Sequence, residues 1–125
     1  MKLLLFTVAD DRQLILIGIH TDPDEAVEEI DALMDVHSAV KRKWGTDDIL
    51  ILGDLNADCN YASNRARGRL RLRTDSRFDW LIDDDVDTTT TRTDCTYDRC
   101  SHVLFNYALM CVFIAISLYY FTILY

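Results

Sequence analysis

Two apolar runs and one stretch of helical periodicity organise the first half of the chain. The runs cover residues 13–20 and 49–52, and polar side chains scarcely interrupt them. Runs of this kind are typical of strands that are covered on both faces. A shorter apolar stretch lies closer to the N-terminus. We therefore predict two buried strands, the first of which is either one member of a strand pair or preceded by a leader.

The segment between the two runs has the pattern of an amphipathic helix. Asp22 and Pro23 suit the N-cap and the first helical position, and Gly45 suits the end, directly after the basic last turn. The apolar side recurs at helical spacing and comprises Val27, Ile30, Leu33, Met34, His37, Val40 and Trp44. We predict one helix here, with His37 as a packing residue on its buried side.

The order strand, helix, strand predicts a βαβ unit with parallel strands that are neighbours or near neighbours. This arrangement puts His20, Asp54 and Asn56 at the carboxyl ends of the two strands. Ligand sites in α/β sheets lie at that edge. We therefore take these three residues as candidates for a functional site.

Five arginines alternate with small or apolar residues further along the chain. They are Arg65, Arg67, Arg69, Arg71 and Arg73. If this segment is extended, all five side chains point to one side. Such a strip is typically a solvated strand edge that discourages aggregation, and contact with phosphate is the alternative role.

An acidic cluster and a run of threonines follow the apolar patch at residues 78–82. The acids are Asp83, Asp84, Asp85 and Asp87. They predict either a hydrated turn or an oxygen-rich calcium site. The threonines that follow favour extended backbone.

The composition changes after Arg99. Residues 103–125 contain no charged side chain, and a segment of that length can cross a bilayer as a helix. Two interpretations stay open, a membrane anchor and an unrelated read-through sequence. At the other end, the shorter apolar stretch near the N-terminus is too brief for a secretory leader, so no signal peptide is evident.

Length and charge restrict the class of protein. The chain has 125 residues, enough for one domain with a modest core. Its net charge of −8 argues against non-specific nucleic-acid binding through bulk charge. A nuclease is still compatible with this charge, because a local basic strip and metal ions can offset the charge of phosphate.

The cysteines suggest a disulfide rather than a metal cluster. They are Cys59, Cys95, Cys100 and Cys111. The spacing from Cys95 through Cys100 to His102 does not match a known zinc site. In an oxidising compartment, a disulfide between two of the first three cysteines is the better interpretation.

The candidate strand-end residues have chemistry that suits phosphodiester cleavage. This reaction needs an activated water, a cation and a proton for the leaving oxygen. Asp54 can hold a metal ion or take a proton, Asn56 can donate to a phosphate oxygen, and His20 can supply an acid near neutral pH. Asp98 can orient an imidazole. The simpler alternatives are an Asx turn at Asp54 and Asn56 and a structural role for His20.

These residues lie in five segments whose order and spacing are informative: HTDPDEAVEEIDAL, GDLNADC, RLRTDSRFDWLI, DTT and CTYDR. Together the segments resemble the deoxyribonuclease I family of secreted endonucleases, over residues 14–99. The resemblance implies an α/β fold, an incomplete four-layer α/β sandwich in a partial domain at residues 1–99. We expect residues 100–125 to form a hydrophobic C-terminal helix or an unrelated tail.

The resemblance also implies roles for the candidate site residues. His20 is similar to the family's first active-site histidine, Asp54 to its catalytic aspartate, and Asn56 to the asparagine at the scissile phosphate. Asp98 is similar to the acid that pairs with the family's second catalytic histidine. Asp58 stands in place of the usual glycine, which adds charge beside the site.

Cofactors and a covalent link follow from the same resemblance. The implied cofactors are Mg²⁺ and Ca²⁺, with Asp87 and Thr89 in a calcium-binding loop. Cys59 and Cys95 match the pair that forms the family's structural disulfide.

We therefore expect a divalent-metal-dependent endonuclease that hydrolyses DNA phosphodiester bonds, with Arg71 and Arg73 as candidate phosphate contacts. The family's active-site glutamates and second catalytic histidine have no counterpart in these segments, so we expect this chain to be weak or inactive. The alternatives are a related phosphoesterase and a non-catalytic, tail-anchored membrane or interaction protein, with membrane contact through residues 103–125. The family is secreted, whereas an inserted tail leaves the globular part in the cytosol, so the compartment stays open.

Overall fold

The fold is built on one β-sheet with a long helix packed against it. The computed structural model describes residues 2–7, 13–90 and 92–103. The strands are β1 (Lys2–Thr7), β2 (Gln13–His20), β3 (Ile49–Asp54), β4 (Phe78–Trp80) and β5 (Asp98–Val103). Within these residues they form a five-stranded sheet in the order β1-β2-β3-β5-β4. β1 and β2 are antiparallel, which confirms the strand pair that the sequence left as one of two alternatives.

The predicted βαβ unit is confirmed. Helix α1 (Ala26–Trp44) connects β2 to β3, and the two strands are parallel neighbours. Ile15 lies opposite Ile49 at the start of the pairing, and the register continues without a break to the carboxyl ends of both strands. The strand ends that carry the candidate site therefore meet at one edge of the sheet.

Local capping sets both ends of the helix. Asp22 accepts a hydrogen bond from the Asp24 backbone N–H at 3.0 Å and begins a short 3-10 turn (Pro23–Glu25) that leads into α1. At the other end Gly45 has a left-handed φ of 67°, and its N–H donates to the Lys41 carbonyl at 2.8 Å. The predicted caps are confirmed, with the difference that the first turn is 3-10 rather than α-helical.

Apolar side chains are buried on both faces of the central strands. Ile30 and Leu33 of α1 pack in one cluster with the strand residues Ile15, Ile17, Ile49 and Ile51. Because successive strand side chains point to opposite faces, Leu14, Leu16, Leu50 and Leu52 form a second cluster. This double burial explains why the two runs contain so few polar residues.

His37 is a packing residue, as predicted. Its ring meets the edge of the Phe78 ring, with centroids 4.9 Å apart. Burial lowers the pKa of His37, because a charged imidazolium is poorly solvated there.

The predicted extended strip of arginines is wrong. The segment forms two short helices, α2 (Asn64–Arg67) and α3 (Arg71–Thr74). Ser63 caps α2 with its side-chain oxygen, and Leu70 and Leu72 are buried in the core. The helical turns thus place these leucines inside and separate the arginines, which have no common side.

Two of these arginines are held by aspartates. Arg71 donates to Asp31 at 2.7 Å and to Asp35 at 2.9 Å, which ties α3 to α1. Arg73 forms two parallel hydrogen bonds of 2.8 Å with Asp84. Whether either residue contacts phosphate stays a prediction.

The acidic and threonine-rich segment forms a loop between β4 and β5. Between positions 81 and 97 the described residues form neither helix nor strand. Asp84 lies within 3.0 Å of Arg99 as well as bonding to Arg73. Asp84 therefore belongs to a cluster of ion pairs, which neither interpretation of the acidic run included.

A disulfide joins two distant loops. Cys59 and Cys95 are bonded, with their Cα atoms 6.0 Å apart and 36 residues of sequence separation, as the resemblance implies. In the loop-entropy account, a bridge over this span stabilises the fold by about 3–4 kcal/mol.

The predicted hydrophobic C-terminal helix (residues 100–125) and membrane contact (residues 103–125) lie mostly outside the described residues. Their described part is strand rather than helix, because residues 100–103 belong to β5, where they complete the sheet next to β3. Among the residues described, no helix is both long and apolar enough to cross a membrane. β5 continues past Arg99, where the composition changes, and the division of the chain near that residue stays a prediction. So does the four-layer sandwich, of which the described part contributes one sheet and its helices.

We expect Ile30→Ala to lower the free energy of unfolding by about 2–5 kcal/mol, because it empties space between α1 and the sheet. Ile30 has no exposed surface, whereas the control residue Val86 is 44% exposed. Val86→Ala should change stability by no more than about 0.5 kcal/mol. Urea unfolding of both variants measures the difference, and equal costs would contradict the described packing of α1.

Candidate active site

Three predicted site residues lie side by side across three adjacent strands. His20 at the end of β2 is the register partner of Asp54 at the end of β3. Asp54 is in turn the register partner of Asp98 at the start of β5. Residues paired in register point to the same face of a sheet, and His20 Nε2 lies 3.8 Å from Asp54 Oδ2. The fold thus gathers residues that are far apart in sequence.

Asn56 is held next to this row by hydrogen bonds to Asp54 and Thr21. Its backbone N–H donates to Asp54 Oδ1 at 3.1 Å, which is the Asx turn that the sequence left as an alternative. Its side-chain Nδ2 donates to the Thr21 carbonyl at 3.1 Å. Asn56 is almost fully buried, and its backbone φ of 46° lies in the left-handed region. The turn therefore fixes the Asn56 amide, so the structural interpretation and the site interpretation are compatible.

Thr21 is a site residue that the sequence reasoning missed. Its backbone N–H donates to the Asp54 carbonyl at 3.0 Å, and its own carbonyl accepts the Asn56 amide. The Thr21 hydroxyl oxygen accepts from Asn56 Nδ2 as well, at the longer distance of 3.5 Å. The two shorter contacts use backbone atoms, so the identity of the side chain gave little signal. Only its position directly after a strand end indicated a role.

Gly53 permits the close approach of the two central strands. Its φ is 141°, and a Cβ at this position would lie 1.9 Å from the Ile19 carbonyl oxygen. No side chain fits without displacing the backbone of β2. The absence of a Cβ is therefore what allows His20 and Asp54 to align.

The row of side chains carries excess negative charge. Burial raises the pKa of Asp98 to about 6, the Asp54 carboxylate acts in the same direction, and His20 opposes it. The His20 side chain is two-thirds exposed and that of Asp54 somewhat over one-third. A positive group at this edge would relieve the repulsion between the two carboxylates.

The described residues do not complete a metal site. Carboxylate oxygens are ligands that Mg²⁺ and Ca²⁺ prefer. Within the described ranges, however, no group of three or more His, Cys, Asp or Glu side chains is arranged to hold a metal ion. In the predicted calcium loop, Asp87 Oδ1 accepts hydrogen bonds from the Thr89 N–H at 2.8 Å and from its hydroxyl at 2.7 Å. These two side chains are together, but their role in calcium binding stays a prediction.

Two buried arginines, Arg67 and Arg99, form a cluster of ion pairs with aspartates of the loops. Asp58 pairs with the buried Arg67 and accepts the Thr96 N–H at 2.9 Å. Arg99 pairs with Asp84 at 3.0 Å. The charge that Asp58 adds next to the site is therefore balanced inside the protein, a contact that the sequence did not indicate.

The fold and the strand-end row define a mixed α/β protein with an acid, amide and imidazole site at one sheet edge. The family model "Endonuclease/Exonuclease/phosphatase family" matches residues 3–115. The chain therefore belongs to the endonuclease/exonuclease/phosphatase family.

The relatives it matches confirm the resemblance to deoxyribonuclease I. The chain is 49% identical over 88 residues to Deoxyribonuclease-1 of Rattus norvegicus, covering 70% of this chain and 31% of the relative. It is 52% identical over 88 residues to Deoxyribonuclease-1-like 2 of Homo sapiens, covering 70% of this chain and 29% of the relative. The chain thus matches somewhat under a third of the length of these curated relatives.

We expect Gly53→Ala to lower the free energy of unfolding by about 3 kcal/mol or more, because it combines an unfavourable φ with a backbone clash. The control is Gly45→Ala. Gly45 also has a positive φ, but a Cβ added there would have no atom within 4 Å. It should cost about 1 kcal/mol. Urea unfolding compares the two, and a Gly53→Ala cost no greater than that of Gly45→Ala would argue against the close approach.

We expect Asp98→Asn to stabilise the chain at pH 7 and to have little effect near pH 3.5. The folded pKa of about 6 lies above the ordinary value of 3.8, so the folded state holds this proton more tightly than the unfolded state. The stability of the original chain therefore falls as the pH rises from about 4 to about 6, relative to the variant. Because Asp98 is partly exposed, the gain at pH 7 is on the order of 1–2 kcal/mol.

Urea unfolding at several pH values measures this difference between Asp98→Asn and the original chain. An NMR titration of the Asp98 carboxyl group checks its cause directly. A midpoint close to 4 would show that burial and the Asp54 charge do not act on Asp98 as described.

Proposed function

We propose that this chain carries part of the active site of a divalent-metal-dependent endonuclease that hydrolyses DNA phosphodiester bonds. The observation that carries the proposal is the alignment of His20, Asp54 and Asp98 across β2, β3 and β5. The names of the relatives, Deoxyribonuclease-1 and Deoxyribonuclease-1-like 2, support DNA as the substrate. The family as a whole includes other phosphoesterases, which makes one of these the second candidate.

Each residue of the row has a role in the proposed reaction. Asp54 takes a proton from the attacking water, and His20, exposed beside it, handles charge and proton transfer at the phosphate. An amide NH₂ group has two N–H donors. Asn56 Nδ2 donates to the Thr21 carbonyl at 3.1 Å and lies 3.5 Å from the Thr21 hydroxyl oxygen, and in the proposed reaction a phosphate oxygen replaces the longer of these contacts. Asp98 orients a second imidazole that the described residues do not supply.

Mg²⁺ and Ca²⁺ are the cations of the proposal. A bound divalent cation supplies charge stabilisation to the phosphoryl group in such a reaction. The charges of Asp54 and Asp98 would attract such a cation to this edge of the sheet, and the Asp87 and Thr89 oxygens suit a structural calcium ion. Because no complete ligand set is gathered among the described residues, we propose that the 125-residue chain alone is weak or inactive.

In a plasmid-nicking assay with Mg²⁺ and Ca²⁺, we expect little or no nicking by the chain. Asp54→Ala should reduce any residual nicking at least about a hundredfold, because it removes the proposed proton acceptor. The control Asp79→Ala removes an exposed carboxylate from β4 and should leave nicking unchanged. Rapid nicking would overturn the incomplete-site proposal, and nicking that survives Asp54→Ala would overturn the role of Asp54.

Contact with the substrate is testable without turnover. Addition of a short DNA duplex with Mg²⁺ should shift the NMR signals of the His20 imidazole and the Asn56 side-chain amide. Unchanged signals, together with an absence of nicking, would refute the nuclease proposal. Hydrolysis of a phosphoinositide or of abasic DNA, with intact DNA untouched, would favour the related phosphoesterase.

A further inference from the structure

A buried arginine connects the loop that carries Asn56 to the rest of the fold. Arg99 follows Asp98 on β5, and its side chain has no exposed surface. Its guanidinium group donates to the Ala57 carbonyl at 3.1 Å and to the Ile82 carbonyl at 2.9 Å. The same group pairs with Asp84 at 3.0 Å. One side chain therefore joins β5 to two loops that are distant in sequence.

The loop after β3 turns at Asn56, whose backbone lies in the left-handed region. Its φ is 46°, a conformation that asparagine tolerates better than most residues but that neighbouring contacts must still select. On one side of Asn56, the Leu55 N–H donates to the Tyr97 carbonyl at 3.0 Å. On the other side, the Ala57 carbonyl is held by Arg99. Both anchors come from the segment 97–99, directly around Asp98.

We propose that Arg99 is a positioning residue of the candidate active site, which holds Asn56 in its left-handed conformation through the Ala57 carbonyl. The functional meaning of this role rests on the proposed function, in which Asn56 contacts the phosphate. The planar guanidinium group is required, because its N–H groups reach two carbonyls and one carboxylate in different directions. A lysine keeps the positive charge but lacks this fixed, planar arrangement of N–H donors.

Arg73 provides a matched control inside the same cluster. It also pairs with Asp84, and its guanidinium group lies 5.6 Å from the centre of the Trp80 ring, compared with 5.5 Å for Arg99. None of the hydrogen bonds found for Arg73 within the described residues reaches the loop after β3. Arg73→Lys therefore perturbs the ion-pair cluster without removing the anchor at Ala57.

The test measures amide hydrogen exchange by NMR, on the full chain and in the absence of DNA. The readout is the exchange rate of the Leu55 amide divided by that of the Ile51 amide in the middle of β3. In Arg99→Lys this ratio should rise about tenfold, as expected for the loss of roughly one hydrogen bond in the loop. The Asn56 side-chain amide signal should shift as well. In Arg73→Lys both should match the original chain.

A purely structural role for Arg99 gives a different result. General loss of stability accelerates the Leu55 and Ile51 amides by the same factor, which leaves the ratio unchanged and overturns the proposal. An equal rise of the ratio in Arg73→Lys overturns it too, because the anchor at Ala57 is then not the cause.

The original chain gives a second check, which tests whether the loop is fixed at all and does not require Arg99→Lys to fold. Its Leu55 amide should be protected to within about tenfold of the Ile51 amide, and exchange as fast as in an exposed turn would refute the anchoring. Failure of the proposed function can be distinguished from failure of the Arg99 proposal. If the proposed function fails, the DNA duplex leaves the Asn56 signal unchanged, whatever the exchange ratio shows.

Discussion

The close approach of β2 and β3 at Ile19 and Gly53 is the constraint on which the site depends. A Cβ on Gly53 would lie 1.9 Å from the Ile19 carbonyl oxygen, so the two strands can align here only without a side chain. One residue further along, the alignment brings the His20 imidazole within 3.8 Å of the Asp54 carboxylate. The burial of α1 against the same strands holds the sheet in this register. Core packing and the strand-end chemistry are therefore parts of one arrangement.

Irregular loops leave the strands at this edge, and buried polar contacts fix them. Burial alone would raise the pKa of Asp58, but hydrogen bonds from the Thr96 and Cys59 backbone N–H groups and the charge of Arg67 lower it overall. Asp58 is thus ionised and joins the loop after β3 to the segment that leads into β5. The Cys59–Cys95 disulfide links the same two segments covalently. An ion pair and a disulfide together suit a loop whose backbone must keep one conformation. Breaking the ion pair would leave a buried charge without its partner, which is costly.

The sequence predicted correctly those elements that are specified by residues close together in the chain. The long helix, its caps and the βαβ unit follow from periodicity and capping chemistry, and the strand-end positions of Asp54 and Asn56 follow from them. The segment 64–74 was mispredicted because its arginines alternate with the period of a strand. Its helical turns are favoured instead by the burial of Leu70 and by the pairing of Arg71 with acidic residues of α1, which are distant in sequence. Arg99 was missed for a related reason. Its partners are mainly backbone carbonyls far away in sequence, and a carbonyl leaves no mark in the sequence.

Ion pairing inside the fold determines how an anionic substrate meets this surface. Arg71, Arg73 and Arg99 are all paired with aspartates, so their charges are largely compensated before any phosphate arrives. At the strand-end edge the balance is negative, since Asp54 and Asp98 lie next to each other there. The chain's net charge of −8 adds no long-range attraction for nucleic acid. A phosphodiester can therefore lie beside Asp54 only when positive charge accompanies it, from a protonated His20 or a bound cation. The need for positive charge in the proposed reaction thus follows from the arrangement of charges, independently of any family resemblance.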